Sequence, residues 1–213
     1  MTSSYRLTSL STCPNKFEEA FSIYEVSLPA SERKNREDIF NLLAREDYAV
    51  TVLEMNDRVI GFSIVFLPQR HPIGLLEYMA TDQAYRNMGM GEIMFEHALS
   101  LCAERVLLVE VEAAFGSPAS RKLQRRRQDY YGRLGCRPIA GLAYRMPQLQ
   151  AAPPPPLILM CHPNGNQINI SKELLRDWVA CIYSGVYGRA DNDEIIDAMF
   201  ANWSQREQAN GFI

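Results

Sequence analysis

The residues best arranged for chemistry lie between Met79 and Glu92, where Arg86, Gly89 and Gly91 separate an apolar, strand-like run from an amphipathic, helical one. Glycines at such a junction let backbone approach a ligand, and the first turn of a helix leaves N–H groups without intrahelical partners. With the positive end of the helix dipole, those donors make an anion site, and a pyrophosphate is the ligand such a loop suits. Arg86, Asn87, Met88, Gly89, Met90, Gly91 and Glu92 are therefore the candidate anion-binding residues. Three readings compete. The dinucleotide fingerprint needs a third small residue where Met94 stands, although Glu110 lies about twenty residues on, where its ribose-binding acid belongs. A phosphate-binding P-loop would need a Gly-Lys-Ser/Thr end, which is missing here. The third reading has the two glycines ease a tight turn and nothing more.

A second set of candidates is carboxylates in apolar strands. Glu77, Glu110 and Glu112 interrupt runs that are otherwise hydrophobic, where acids are rare unless they have a task or a partner. By the period-2 rule Glu77 shares a face with Met79 and Thr81, and Glu110 shares one with Glu112. Desolvation and mutual repulsion would lift such carboxyls toward a range useful for a base; the alternative is a solvated strand face. The basic run Arg121, Lys122, Arg125, Arg126, Arg127 could meet phosphates, but such a run more commonly forms a solvated helix start. No metal is expected, since His71, His97 and His162 stand far apart and the five cysteines form no C-x-x-C pair.

The elements that position these residues follow from periodicity. Residues 5–10 alternate as a short strand, 17–28 have helical spacing up to Pro29, and 31–45 read as a charged second helix. Runs at 49–55 and 59–67 flank Asn56-Asp57-Arg58 and read as a hairpin. A strand over 74–81, a helix over 87–104 and a continuous apolar strand over 106–111 follow. The pattern then predicts a helix over 124–134 stopped by Gly135, a short strand over 137–140, a polyproline spacer at 153–156 and a strand over 157–161. Two helices, 171–187 and 191–208, close the chain, the second opening on an Asp191/Glu194 capping box. A hairpin feeding strand–helix–strand predicts an α/β domain (α+β type) with a mixed, mostly antiparallel sheet flanked by helices. Residues 1–163 form that domain and 164–213 a C-terminal two-helix extension, expected to dock on it or on a second subunit of a homodimer.

Arg86-Asn-Met-Gly89-Met-Gly91 matches Arg/Gln-x-x-Gly-x-Gly/Ala, and Tyr131-Gly-Arg-Leu-Gly135-Cys136 matches Tyr-x-x-x-Gly-Phe with Cys136 in place of Phe. In this order, with one helix and one strand between them, the pair resembles the GNAT superfamily of N-acetyltransferases over roughly residues 5 to 161. The resemblance implies acetyl-CoA as co-substrate. It implies that the backbone of Met79, Ala80 and Thr81 pairs with the pantetheine amides, and that the strand end at Glu110 splays from its neighbour to form the acyl cleft. It also implies that Tyr131 protonates the departing thiolate. Gln124 and Arg127 depart from the Asn and small residue common at their positions, and Gln124 keeps donor and acceptor capacity toward the pantetheine.

Acyl transfer from a thioester to an amine needs a base for the ammonium and an acid for the thiolate. Tyr131 is the expected acid and Glu77 or Glu110 the expected base, while water-mediated deprotonation is an alternative. The expected acceptor is a small-molecule or peptide amine that attacks the thioester directly. A CoA-binding sensor or assembly module, and transfer of a longer acyl group, are the rival readings. The 213 residues are 47% hydrophobic and 22% charged with a formal charge of −3, which gives no general attraction to nucleic acid or anionic membrane. With no leader-like N-terminus and no long apolar run, a cytoplasmic protein is expected.

Overall fold

The turn Asn56-Asp57 shows how directly sequence becomes structure here. Both residues take positive φ, 51° and 61°, the geometry of a type I′ turn that matches the twist of the strands it joins. It closes the hairpin of β2 (Tyr48–Met55) and β3 (Arg58–Phe66), with Met55 opposite Arg58. The structure is a computed structural model and describes residues 4–148, 153–166, 169–190, 194–201 and 203. The chain divides into two compact units. One comprises Met1–Leu67, Leu76–Ala103 and Leu149–Ala152, the other Pro68–Leu75, Glu104–Gln148 and Pro153–Ile213.

The first unit holds β1 (Tyr5–Ser9), α1 (Phe17–Ser27), α2 (Arg36–Asn41), β2, β3, most of β4 (Ile73–Thr81) and α3 (Met90–Cys102). The β1–β2 and β2–β3 pairings are antiparallel. Helix α1 packs on β3, with the Tyr24 ring 5.9 Å from Phe62 and 5.1 Å from Tyr78. Alternation puts Gly61 on the opposite face, where α3 lies. A Cβ at Gly61 would fall 2.9 Å from Met94 Sδ, so glycine on the strand makes room for the bulky residue on the helix. Met94, Leu53, Met55 and Ile60 form a buried cluster, with Met79, Tyr85, Met90 and Ile93 packed around it.

The second unit holds the head of β4, β5 (Val106–Glu112), α4 (Pro118–Arg133), β6 (Arg137–Pro138), β7 (Leu157–His162), α5 (Lys172–Gly185) and α6 (Glu194–Phe200). Strand β7 pairs antiparallel with both β5 and β6, and Glu110 stands opposite Leu159. Helix α4 packs on β5 and α6 on α5. The strand order is β1-β2-β3-β4-β5-β7-β6, a seven-stranded, mostly antiparallel sheet accompanied by helices, as the periodicity predicted.

Several helix boundaries depart from expectation, and three of the departures have a physical reason in local hydrogen bonds and backbone torsions. The stretch 31–45 breaks into a turn at Ala30–Glu32, α2, and a turn at Leu42–Ala44. Lys34 is drawn out of helical geometry, because its N–H donates to the Tyr24 hydroxyl at 2.8 Å, and Asn35 then caps a new helix from the Asp38 N–H. Helix α3 begins at Met90 rather than 87, since Asn87 and Gly89 are left-handed. Helix α4 begins at Pro118, six residues before 124, because Ser117 accepts the Ser120 N–H at 3.1 Å and proline suits the first helical position. The last expected helix, 191–208, stops at Phe200 with Ala201 in a turn and Trp203 outside any helix; its Asp191 end and its stretch from 204 lie outside the described residues.

Candidate active site

The loop between β4 and α3 has the local geometry an anion needs. Asp82 steadies its entry, donating its N–H to the Ile60 carbonyl and accepting the Ala84 N–H, both at 2.8 Å. Gly89 is the N-cap of α3 at φ 81°, ψ −5°. The N–H groups of Glu92 and Ile93 both reach the Gly89 carbonyl, at 3.1 and 3.2 Å, so Met90 and Gly91 carry the donors that a helix start leaves over. A methyl placed on Gly89 would meet nothing within 4 Å, and Arg86 through Gly89 are exposed. The loop thus presents open backbone at the positive end of a thirteen-residue helix, with the Arg86 guanidinium beside it, its Nε reaching the Thr81 carbonyl at 3.4 Å. These residues fit a pyrophosphate. Met79, Ala80 and Thr81 are half-buried whereas the first four residues of β4 are buried, so this end of the strand keeps surface open.

Glu77 sits in the same unit with its carboxylate enclosed; its side chain is 2% exposed. Lys34 Nζ stands 2.6 Å from Oε1, a charge contact outside hydrogen-bond alignment, and the Tyr48 hydroxyl donates to Oε2 at 3.0 Å. Lys34 and Arg45 also lie over the Tyr48 ring, at 5.8 and 4.6 Å from its centroid. Burial and the Glu77 charge push the Tyr48 hydroxyl far above the ordinary tyrosine value. Glu77 is therefore a neutralised carboxylate that ties the Lys34 segment to β4.

In the second unit the tyrosine–glycine motif is the C-terminal cap of α4. Cys136 N–H donates to the Tyr131 carbonyl at 3.0 Å and Gly135 N–H to that of Gly132 at 3.2 Å, the two bonds of a Schellman motif. Gly135 is left-handed at φ 93°, and Cys136 is fully buried in the position beyond it. The Tyr131 ring meets that of Tyr130 edge-on at 5.2 Å. Burial pushes the Tyr131 hydroxyl above its ordinary value, with Tyr130 and Cys136 adding to the shift and Arg127 opposing it. The hydroxyl accordingly keeps its proton at neutral pH. Gln124, 5% exposed, turns its Oε1 to the Phe115 N–H at 2.8 Å and so fixes the loop between β5 and α4.

Glu110 and Glu112 share a face of β5 and are treated differently. Arg127, one of the two residues that depart from the family pattern, donates to Glu112 at 3.0 Å. Glu110 accepts from the Tyr144 hydroxyl, and from the Tyr187 hydroxyl at 2.7 Å on Oε1 and 2.6 Å on Oε2. Of the expected site residues, Glu77 and Met79 through Glu92 lie in the first unit, and Glu110, Gln124 and Tyr131 in the second. Reading the sequence missed Lys34 and Tyr48 beside Glu77, and Tyr144 and Tyr187 beside Glu110. Each partner lies 29 to 77 positions from its carboxylate, where no sequence period reaches.

The sequence profile described as the Acetyltransferase (GNAT) family matches residues 15–135, more than half of the chain, and the chain belongs to that family of acetyltransferases, which use acetyl-CoA. Among solved structures, similar ones include a protein from Bacteroides thetaiotaomicron assigned to the GNAT acetyltransferases, at TM-score 0.68, 22% identity, and 86% of this chain and 98% of that one covered. The ribosomal-protein-S18-alanine N-acetyltransferase of Escherichia coli gives TM-score 0.56, 19% identity, and coverage of 78% and 100%. An aminoglycoside 6'-N-acetyltransferase complexed with coenzyme A gives 0.58, 12%, and 77% and 99%. No curated protein sequence matches the chain. Among the described residues, no helix is long and apolar enough to cross a membrane.

Proposed function

We propose that the chain transfers the acetyl group of acetyl-CoA to a primary amine by direct attack, with residues 86–92 holding the coenzyme pyrophosphate. The observation that carries this is Gly89, left-handed, open to 4 Å and capping α3 behind Arg86. Acetyl-CoA supplies an activated thioester. The chain's part is to bind the phosphates at the α3 start and to present the half-exposed backbone of Met79–Thr81 to the pantetheine. Tyr131 supplies the proton for the thiolate, a role that rests on its place in the tyrosine–glycine motif that closes α4. Between the two candidate bases, the contacts favour Glu110. Glu77 is neutralised by Lys34, whereas Tyr144 and Tyr187 give Glu110 hydroxyl donors that preserve its negative charge.

The acceptor is a small-molecule or peptide amine, the first class named by the aminoglycoside enzyme and the second by the S18-alanine enzyme. The test is thiol release from acetyl-CoA against an amine library, run beside a longer acyl-CoA and beside calorimetry of CoA binding. Amine-dependent release supports the proposal, and faster release from the longer thioester corrects the acyl group. Tight CoA binding with no amine-dependent release would reduce the protein to a CoA-binding module.

A further inference from the structure

Two residues outside the matched family region converge on the Glu110 carboxylate. Tyr144 follows β6, is 2% exposed, and donates its hydroxyl to Oε1. Tyr187 lies in the turn after α5, is half-buried, and donates to both carboxylate oxygens. Helix α5 secures both contacts. Tyr183, one turn before Tyr187, packs edge-on against its ring at 5.9 Å and donates to the carbonyl of Arg145, the neighbour of Tyr144, at 2.5 Å. The hydroxyls thus come from segments that are themselves stitched together, an arrangement that a surface carboxylate would not need.

Glu112, on the same strand face, is balanced by Arg127, and the cross-strand neighbour Leu159 is apolar. Burial and the Glu110 charge push the Tyr144 hydroxyl well above its ordinary value, so it remains a donor throughout the working pH range. A carboxylate held by hydroxyl donors attracts an alkylammonium through its charge. We propose that Tyr144 and Tyr187 are positioning residues that fix Glu110 as the receptor for the acceptor's ammonium group. The C-terminal segment carrying Tyr187 is then part of the acceptor site, and the substrate class is a cationic primary amine. This rests on the transferase reading above.

The deciding variant is Tyr187→Phe in the full chain, which keeps the ring and its packing on Tyr183. Thiol release is followed at saturating acetyl-CoA with the amine that the parent turns over fastest, across a range of pH. Hydroxyl donors favour the charged carboxylate, so their loss should move the acid limb of kcat/KM to higher pH by about one to two units. The acceptor KM should rise about tenfold or more, on the scale of a lost hydrogen bond to a charged group. The acetyl-CoA KM and the melting temperature should hold. Tyr144→Phe should change the same quantities in the same direction. An unchanged acceptor KM and acid limb in folded Tyr187→Phe would overturn the inference. So would a loss that falls equally on acetyl-CoA KM and thermal stability, which marks a structural pin. If the parent itself releases no thiol with any amine, the transferase reading fails first, and that outcome is distinct from a variant that behaves like an active parent.

Discussion

Gly135 closes α4 at φ 93°, and a Cβ placed there would lie 2.8 Å from His162 Nε2 and 2.9 Å from its Cδ2. Gly135→Ala therefore combines two penalties. Holding an L-residue in the left-handed region costs roughly 1–2 kcal/mol. The overlap costs roughly 1–3 kcal/mol more, because the His162 ring is anchored through Nδ1, which accepts the Asn164 N–H at 3.0 Å. The sum is about 2–5 kcal/mol. For a chain of this size that lowers the melting temperature by on the order of 10 °C, readable by scanning fluorimetry. Two glycines calibrate the result. Gly89 is equally left-handed but open, so Gly89→Ala should show the backbone penalty alone, roughly 1–2 kcal/mol. Gly132 lies within α4 with nothing near its missing Cβ, so Gly132→Ala should stabilise by roughly 0.5–1 kcal/mol. Adding His162→Ala to Gly135→Ala should remove the steric share. Equal destabilisation by Gly135→Ala and Gly89→Ala would refute the reasoning, since it would mean that His162 yields freely.

Gly89→Glu should abolish CoA binding by calorimetry while the fold persists, because its carboxylate would enter the phosphate position with no steric obstacle from the chain. Tyr131→Phe should lower kcat about 10²–10⁴-fold with CoA affinity unchanged, while Tyr130→Phe should leave kcat near the parent's; equal kcat in the two variants would remove Tyr131 from the mechanism. Since the Tyr131 pKa is raised, the parent's kcat should show no basic limb from this group until pH exceeds the ordinary tyrosine value. Lys34→Met should destabilise by about 3–5 kcal/mol in denaturant melts, because it leaves the Glu77 carboxylate buried without its cation. The double variant Lys34→Met with Glu77→Gln should recover much of that loss.

The local parts of this protein were legible in the residue order. Asn56-Asp57 specifies a tight hairpin turn because both residues tolerate positive φ. Arg86 to Gly91 specifies a ligand loop, since glycine at a helix start frees donors, and Gly135 ends α4 five residues after Tyr130 by the same backbone logic. The hairpin, the order of strands and helices and the tyrosine–glycine cap all rest on interactions within a few residues, which a sequence displays directly.

What the tertiary structure alone decided is which partner each charged side chain meets. Glu77 and Glu110 read alike in sequence, as acids in apolar strands. Folding brings Lys34 and Tyr48 to the first, and Tyr144 and Tyr187 to the second, making one a neutralised tie and the other a carboxylate held by hydroxyls. Chain topology also broke the expected helix at Lys34, by offering its N–H the Tyr24 hydroxyl, and turned Gln124 to the Phe115 backbone. A backbone turn is set by the torsional preferences of its own residues, whereas the state of a buried charge is set by whatever the rest of the chain places within a few ångströms of it.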